Sequence, residues 1–243
     1  MTLESVKLGV KQAIQSKALD ETREILVKLP ESYHGTENRY PVLYMLDANY
    51  TPFLANDLFT IEYMRFVRKV PEFIIVGVYN TDRERDMLPV KIKDRGGGGG
   101  ADKFLRFIKK ELQPLINENY RTSSYNMLHG ASNAGLFGLY TLFRNPSLFD
   151  NVIAPSPMIG YCPELIHELA LKSFKKHSFS NKLYMIYGVE DYSQVTEYVL
   201  KFKEMLKENA PAGLKCKVKY IEDEGHVPFT SLYDGLGWIF EKA

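Results

Sequence analysis

Ser132 lies within the segment Gly130-Ala131-Ser132-Asn133-Ala134, after an apolar run and before a pattern typical of a helix. A turn that lifts a serine hydroxyl above a sheet edge is so tight that only small residues fit two places before and after the serine. Alanine at the second of these places is a permitted departure from glycine. The N-terminal amides of the following helix would stabilise negative charge on a substrate oxygen. The spacing therefore predicts a nucleophilic serine.

A Gly-x-Ser-x-Ala motif alone is common by chance. The prediction of a nucleophilic serine therefore also requires an acid and then a histidine later in the chain, each after a late strand. An apolar run over residues 182–187 ends at Gly188, and Glu190, Asp191 and a long amphipathic pattern follow it. Asp191 is the favoured acid, although its place before a helix is also typical of a helix cap. Glu190 is the alternative acid.

His226 is the candidate base, because it follows the alternating segment 215–221 and comes after the acid in chain order. Its Nε2 would take the proton of Ser132, while a carboxylate on Nδ1 would fix the tautomer and stabilise the imidazolium. A solvated loop histidine would give the same local pattern, and the chain order favours the catalytic interpretation. His129, in the strand before the serine, is interpreted as packed near the site without titrating.

Strand-like and helix-like segments alternate along the chain, which predicts a mainly parallel central sheet with helices on both faces. The predicted strands are residues 22–29, 42–47, 73–79, 125–130, 150–154, 182–187 and 215–221. The predicted helices are residues 54–68, 101–119, 133–144, 162–175, 193–209 and 230–241. Pro114 predicts a kink in the second of these helices.

The composition fits one α/β domain over residues 1–243, because 45% hydrophobic residues suffice for a single sizeable core. The 31 basic and 30 acidic residues are interspersed and give a net charge of +1, which argues against nucleic acid or an anionic membrane as partner. Cys162 and Cys216 are the only cysteines, and no spacing to histidines suggests a metal site. No G-x-G-x-x-G follows a strand, so no dinucleotide cofactor is expected.

Residues 1–20 lack the apolar core of a signal peptide, and no run of about eighteen apolar residues occurs. With only two cysteines, the chain also suits a reducing compartment. The expectation is a soluble, cytoplasmic protein that acts on a small-molecule substrate.

Several stretches resemble the esterase branch of the α/β-hydrolases that includes the enterochelin and salmochelin esterases. The matching stretches are residues 40–47, 80–89, 101–108, 130–135, 156–157, 224–226 and 231–236. The resemblance runs along nearly the whole chain and implies the α/β-hydrolase fold. It also implies a serine esterase that needs no metal or organic cofactor. Some members of that family manage with a weak acid, which makes Asp191 the least secure part of the predicted triad.

The resemblance further implies an oxyanion hole. One donor is expected to be the main-chain N–H of Asn133, next to the nucleophile, and the other to come from the loop after the strand that ends near Asp47. Asn49 is the favoured second donor, and Ala48 is the alternative. The same loop residues are also compatible with an ordinary turn rich in Asn and Asp.

Three residues are expected to contact substrate. Arg85 stands beyond a strand end, where it could hold an acidic or catecholate group, or could pair with neighbours and fix the loop. Tyr50, after the oxyanion loop, and Met158, after the fifth predicted strand, would line an apolar pocket. Met158 stands where related esterases commonly have aromatic residues, so the departure bears on the substrate rather than on the chemistry.

Five glycines follow one another at residues 96–100. Such a run cannot easily hold one conformation, so it predicts a mobile connection. Related esterases have a longer loop here. The glycine run is therefore interpreted as a naturally shortened lid or as an engineered replacement of one. No Gly-Lys-Ser/Thr follows, which argues against a phosphate loop.

The sequence thus predicts a serine ester hydrolase that acts through an acyl-enzyme. A siderophore-type trilactone, a feruloyl or acetyl-xylan-type ester and a simple ester are all compatible substrates. A catalytically silent member that only binds a ligand is the alternative from another class, and the intact Ser132 and His226 argue against it. An acyltransferase that uses an alcohol in place of water is a further alternative.

Overall fold

The computed structural model describes residues 8–68 and 70–241. The strands are β1 Val10–Ser16, β2 Glu21–Lys28, β3 Tyr40–Met45, β4 Ile74–Val78, β5 Lys91–Ile92, β6 Gly97–Gly98, β7 Thr122–His129, β8 Asn151–Pro155, β9 Lys182–Gly188 and β10 Lys215–Ile221. The α-helices are α1 Thr51–Arg68, α2 Arg83–Met87, α3 Ala101–Phe107, α4 Gln113–Asn119, α5 Asn133–Arg144, α6 Pro163–Lys176, α7 Ser193–Asn209 and α8 Ser231–Ile239.

Eight strands form one sheet in the order β1-β2-β4-β3-β7-β8-β9-β10, and β5 pairs with β6 separately. β1 pairs antiparallel with β2, and β2 pairs antiparallel with β4. Every other pairing in the large sheet is parallel. The strand order reverses between β3 and β7, and the crevice at such a point is where α/β sheets bind ligands. The predicted mainly parallel sheet is confirmed.

The sheet is covered on both faces, as an α/β-hydrolase fold requires. Apolar residues of α3 to α7 pack with one face, and those of α1 and α8 pack with the other. The central strands β4 and β8 are buried along their whole length and read as continuous apolar runs. Helix α5 is buried almost all round, which explains why it is apolar on every face.

Several elements depart from the sequence prediction, and the short elements α2, β5 and β6 were not predicted. β1 was absent from the predicted strands, because it is a mostly exposed edge strand without an apolar run. The predicted helix over 101–119 is divided, with a π-helical turn at Ile108–Leu112 between α3 and α4. The N–H of Gln113 donates to the carbonyl of Ile108, five residues back, directly before Pro114. A widened turn of this kind accommodates the proline that predicted a kink.

The glycine run has a hydrogen-bonded path in the structure. Gly98 has φ of 106°, and a Cβ there would lie 2.2 Å from the carbonyl oxygen of Val90. Only glycine fits this position without displacing the backbone. The N–H of Gly99 donates to Leu88, and that of Gly100 donates to Arg85. The mobility of the run stays a prediction.

A buried ion-pair network joins α2 to the sheet. Arg23 of β2 is fully buried, and its guanidinium contacts the carboxylate of Asp86 and donates to the carbonyl of Tyr79. Glu21 lies 2.7 Å from Nε of Arg23. Asp86 is also buried and receives a bond of 2.7 Å from Arg85. Because both Arg23 and Asp86 are desolvated, each depends on the other for compensation.

Replacing Asp86 by alanine is therefore expected to lower the free energy of unfolding by about 3 kcal/mol, because the charge of Arg23 would lose a buried partner. Urea denaturation followed by circular dichroism measures the loss. Glu24→Gln is the control, since Glu24 pairs with Lys11 on the exposed surface and surface pairs contribute little. Equal effects of the two substitutions would contradict this account.

Candidate active site

Ser132 stands at the turn between β7 and α5 in an unusual backbone conformation. Its φ is 62° and its ψ is −120°, which is costly for a residue with a side chain. The N–H of Ser132 donates to the carbonyl of Pro155 at 2.9 Å, and its own carbonyl accepts from Leu136 at 3.0 Å. These bonds hold the strained turn, which has the geometry expected of a nucleophile elbow.

The small residues of the elbow are required by contact. A Cβ on Gly130 would lie 2.8 Å from the Cβ of Ala134, and one on Gly135 would lie 3.1 Å from the carbonyl oxygen of Gly130. Positions 130 and 134 face each other, so the turn accepts a methyl group at one of them. This explains why Ala134 is tolerated opposite Gly130.

A chain of hydrogen bonds links three side chains. Nε2 of His226 lies 2.9 Å from Oγ of Ser132, and Nδ1 of His226 lies 2.7 Å from Oδ1 of Asp191. The carboxylate of Asp191 is fully buried, whereas the imidazole is about one quarter exposed. A serine, a histidine and an acid in this order can move a proton from the hydroxyl to the imidazole and stabilise the resulting cation.

Main-chain contacts hold the acid and the histidine together. The N–H of Glu190 donates to the carbonyl of Glu224 at 3.1 Å, and the N–H of Asp191 donates to Gly188 at 3.1 Å. A Cβ on Gly188 would lie 1.9 Å from the carbonyl oxygen of Glu224, so the two loops can touch only because residue 188 is glycine. Glu190 itself is exposed, and the structure brings Asp191 rather than Glu190 to His226.

The histidine loop is anchored by a serine that the sequence analysis did not single out. Val227 has φ of 62°, which is rare for a β-branched residue. Its N–H donates to Oγ of Ser156 at 2.9 Å, and Ser156 is fully buried with φ of 44°. The ring of Tyr192 lies 4.8 Å from that of His226. The dipeptide Ser156-Pro157 was the available signal, but its partner 71 residues away was not predictable.

The two predicted oxyanion donors are uncommitted within the described part of the chain. The main-chain N–H of Asn133 and that of Asn49 donate to no protein acceptor there. The N–H of Ala48 instead donates to the carbonyl of Val78 at 3.1 Å. The side chain of Asn49 accepts from the N–H of Asn80 and holds its loop. This pattern favours Asn49 over Ala48 as the second donor.

Arg83 ties the loop after β3 to the elbow. Its Nε and Nη2 donate to the two carboxylate oxygens of Asp47 at 2.8 and 2.9 Å, and Nη2 also lies 3.3 Å from the carbonyl oxygen of Ala131. Burial would lower the pKa of Arg83, but the hydrogen bonds and charge of Asp47 outweigh burial and raise it. Arg83 therefore stays charged and fixes the loop that carries Asn49.

Arg85 is held elsewhere. Its guanidinium donates to both carboxylate oxygens of Glu21, at 3.0 and 2.8 Å, and to Asp86. These hydrogen bonds raise the pKa of Arg85 above its usual range. Arg85 is absent from the lining of the cavity that contains Ser132, and its contact with substrate stays a prediction. The loop-fixing role that the sequence left open is the one the structure gives it.

A cavity of about 500 Å³ opens beside Ser132 and His226. Its wall is mainly apolar and includes Met45, Leu46, Ala48, Tyr50, Pro52, Phe53, Leu54, Pro155, Val227, Pro228 and Phe229. Polar residues of the wall are Asp47, Asn56, Asp57, Arg83, His129, Glu224 and Ser231. Tyr50 thus lines the cavity as expected, and His129 packs beside the site.

Met158 does not line this cavity. Its side chain is 3% exposed and belongs to the core that covers one face of the sheet. Its N–H donates to the carbonyl of Ser132 at 3.3 Å, so its main chain supports the elbow. A substrate contact through Met158 stays a prediction, and the structure places its side chain in the core rather than at the cavity wall.

Neither cysteine has the features of a nucleophile or a metal ligand. Both Cys162 and Cys216 are free thiols. Burial raises the pKa of each thiol to about 12, so neither is ionised near neutral pH. Over residues 8–68 and 70–241, no three His, Cys, Asp or Glu side chains are grouped as a metal site. No helix in that same part of the chain is long and apolar enough to cross a membrane.

Comparison with known proteins gives consistent results. The sequence model of the family described as "Putative esterase" matches residues 16–195, which is more than half of the chain. Ferri-bacillibactin esterase BesA of Bacillus subtilis is 28% identical over 214 residues, covering 77% of this chain and 74% of that protein.

Solved structures share the fold. An IroE-like serine hydrolase from Shewanella oneidensis superposes with a TM-score of 0.87 at 29% identity, over 96% of this chain and 80% of that one. The BES protein from Bacillus cereus superposes with a TM-score of 0.84 at 26% identity, over 98% of both chains.

Proposed function

The chain belongs to the Putative esterase family and is a carboxylic ester hydrolase, and we propose that Ser132, His226 and Asp191 are its catalytic triad. The observation that carries this proposal is the unbroken hydrogen-bond chain from Oγ of Ser132 through both imidazole nitrogens to Oδ1 of Asp191. A serine hydroxyl is a weak nucleophile alone, and an adjacent oriented base activates it.

In the acylation step, Oγ of Ser132 attacks the ester carbonyl carbon while Nε2 of His226 takes the hydroxyl proton. The carbonyl oxygen becomes an oxyanion, which the N–H groups of Asn133 and Asn49 stabilise. Asp191 stabilises the imidazolium and fixes its orientation. The tetrahedral intermediate then expels the alcohol, which receives its proton from His226, and the acyl group stays on Ser132.

In the deacylation step, His226 takes a proton from water, and the resulting hydroxide attacks the acyl carbonyl carbon. The same two N–H groups stabilise the second oxyanion. The bond to Oγ of Ser132 breaks, the serine recovers its proton from His226, and the carboxylic acid leaves. Water and ester are the only reactants that these steps consume.

For the substrate, we propose an ester with a short acyl or aryl group and no negative charge. The cavity wall is mainly apolar, with Tyr50, Phe53 and Phe229 exposed at its mouth. Its one arginine, Arg83, is engaged by Asp47 and does not offer a free positive charge to an anion. A siderophore-type ester is the second candidate, because the relative from Bacillus subtilis is described as a ferri-bacillibactin esterase.

A panel of esters tests the substrate proposal. Plain p-nitrophenyl esters, a feruloyl ester, an acetylated sugar and a catecholate trilactone are ranked by kcat/KM, which reports differential transition-state binding. We expect the short-chain and aryl esters to lead. A lead of about a hundredfold for the trilactone would contradict the proposal and favour the second candidate. Added alcohols that divert product from acid to ester would instead indicate an acyltransferase. The cytoplasmic location stays a prediction.

A further inference from the structure

A carboxylate on α1 lines the cavity that contains Ser132, but the proposed mechanism does not use it. Asp57 is about one sixth exposed, and its Oδ2 lies 3.2 Å from Nε2 of His129. His129 ends β7, three residues before Ser132, and is itself buried. The two side chains therefore meet at the wall of the active-site cavity.

The surroundings of His129 identify which nitrogen carries its proton. Nδ1 is buried and has no hydrogen-bond partner within the described residues. A buried N–H without an acceptor is costly, so the neutral imidazole is better accommodated with its N–H on Nε2, facing Asp57. The N–H of the ring then points toward Oδ2 of Asp57.

Asp57 has accepting capacity left over. Within the described residues its one polar contact is Nε2 of His129 at Oδ2, although an ionised carboxylate has about four lone-pair sites. The other carboxylates of the cavity wall are engaged. Asp47 accepts two hydrogen bonds from Arg83, and Glu224 accepts from the N–H of Phe229 at 2.7 Å. Asp57 thus differs from these two carboxylates in accepting from neither a guanidinium nor a main-chain N–H in the described residues.

We propose that Asp57, backed by His129, is a specificity-determining residue that selects esters carrying a hydrogen-bond donor, such as a hydroxyl or ammonium group, on the acyl part. This inference rests on the proposed function and adds a substrate class to it. In a mainly apolar cavity, a carboxylate with a single nearby donor stays poorly compensated, so a substrate that supplies a second donor gains binding energy. A substrate carboxylate at the same place is repelled.

The topology assigns the donor to the acyl part. His226 reaches Ser132 from the β10 side of the sheet, whereas Asp57 follows β3 on the other side of β7. The leaving alcohol takes its proton from His226 and so departs toward the β10 side. The acyl group, which stays bound to Ser132, extends toward α1 and Asp57.

Matched p-nitrophenyl benzoates test the proposal, because they share one leaving group. The three acyl groups carry a 3-hydroxymethyl, a 3-methoxymethyl or a 3-carboxyl substituent. For the wild type we expect kcat/KM to be about tenfold or more higher with hydroxymethyl than with methoxymethyl, the scale of one hydrogen bond to a charged group. The carboxyl ester is expected to be the poorest substrate.

Asp57→Leu should bring the hydroxymethyl and methoxymethyl esters to nearly equal kcat/KM, because it lowers the value for the hydroxymethyl ester more than the value for the methoxymethyl ester. Asp57→Asn, which keeps the shape and one acceptor, should retain part of the hydroxyl preference and relieve the discrimination against carboxyl. Glu224→Gln removes another wall carboxylate and should leave both ratios unchanged. A loss in Asp57→Leu that is equal for both neutral esters would indicate a structural role and overturn the inference.

The outcomes separate this inference from the proposed function. If the wild type hydrolyses the methoxymethyl ester through Ser132 but shows no hydroxyl preference, the inference fails and the proposed function stands. If the wild type hydrolyses none of the three esters, the proposed function fails with it. If Asp57→Leu does not fold, the two ratios in Asp57→Asn decide the question.

Discussion

Ser132→Ala is expected to lower kcat for a short-chain p-nitrophenyl ester by about a thousandfold or more, the scale of losing a triad member. Without Oγ no acyl-enzyme can form, and His226 has no hydroxyl to deprotonate. Any residual rate would come from the oxyanion donors and from binding, which Ser132→Ala leaves in place. Initial rates under saturating substrate measure the change.

Ser156→Ala is the matched control for this substitution, because Ser156 is a nearby buried serine whose Oγ accepts from the N–H of Val227. Its loss loosens the loop of His226 but removes no reacting atom, so we expect a much smaller loss of kcat. Circular dichroism establishes that both variants are folded. Full activity in Ser132→Ala would contradict the assignment and point to a different nucleophile.

Asp191→Asn is expected to reduce kcat by about a thousandfold to ten-thousandfold, because an amide in place of the acid favours the wrong imidazole tautomer. Oδ1 of Asp191 lies 2.7 Å from Nδ1 of His226 and also accepts from the N–H of Tyr192. An asparagine that presents its NH2 group to His226 would leave Nδ1 as the acceptor and Nε2 protonated. The base could then not take the serine proton.

Glu190→Gln provides the control for the acid, since Glu190 is adjacent and exposed, and within the described residues the carboxylate that pairs with His226 is that of Asp191. Its kcat should stay close to that of the wild type. A larger loss in Glu190→Gln than in Asp191→Asn would exchange the two roles. If neither substitution lowers kcat, the enzyme works as a dyad of Ser132 and His226.

Local patterns sufficed for much of the fold. The buried parallel strands read as apolar runs, and α5, α7 and β10 begin and end where the sequence predicted. These elements were predictable because burial on a sheet or along a helix face imposes a repeat that a single segment displays. Edge strand β1 was missed because it is mostly solvent-exposed and has no apolar run.

The candidate triad was predictable for a different reason. The elbow needs small residues at fixed spacing around Ser132, and the acid and histidine must follow late strands in order. Chain order alone could not decide whether Glu190 or Asp191 is the acid of the triad. The two residues are adjacent on one loop and differ in the direction in which their side chains point. The contact of Gly188 with the loop of Glu224 sets that direction, and it joins segments far apart in the chain.

The substrate-contacting residues were the least predictable part. Arg83 and Arg85 are two residues apart, but one faces the cavity and the other pairs with Glu21, 64 residues earlier. Met158 was expected at the pocket because it follows a strand end, yet it packs into the core. Asp57 lies on α1 and was not among the residues expected at the site. In each case the deciding partner lies on another element.

Covalent labelling by a p-nitrophenyl alkylphosphonate tests the central claim most directly. Oγ of the nucleophile bonds to phosphorus and p-nitrophenolate leaves, so the adduct marks the attacking residue. Peptide mass spectrometry of the inactivated enzyme should locate one phosphonyl group on Ser132, formed in proportion to the loss of esterase activity and absent from Ser132→Ala. Inactivation with the phosphonyl group on any other residue would contradict the assignment of Ser132 as the nucleophile.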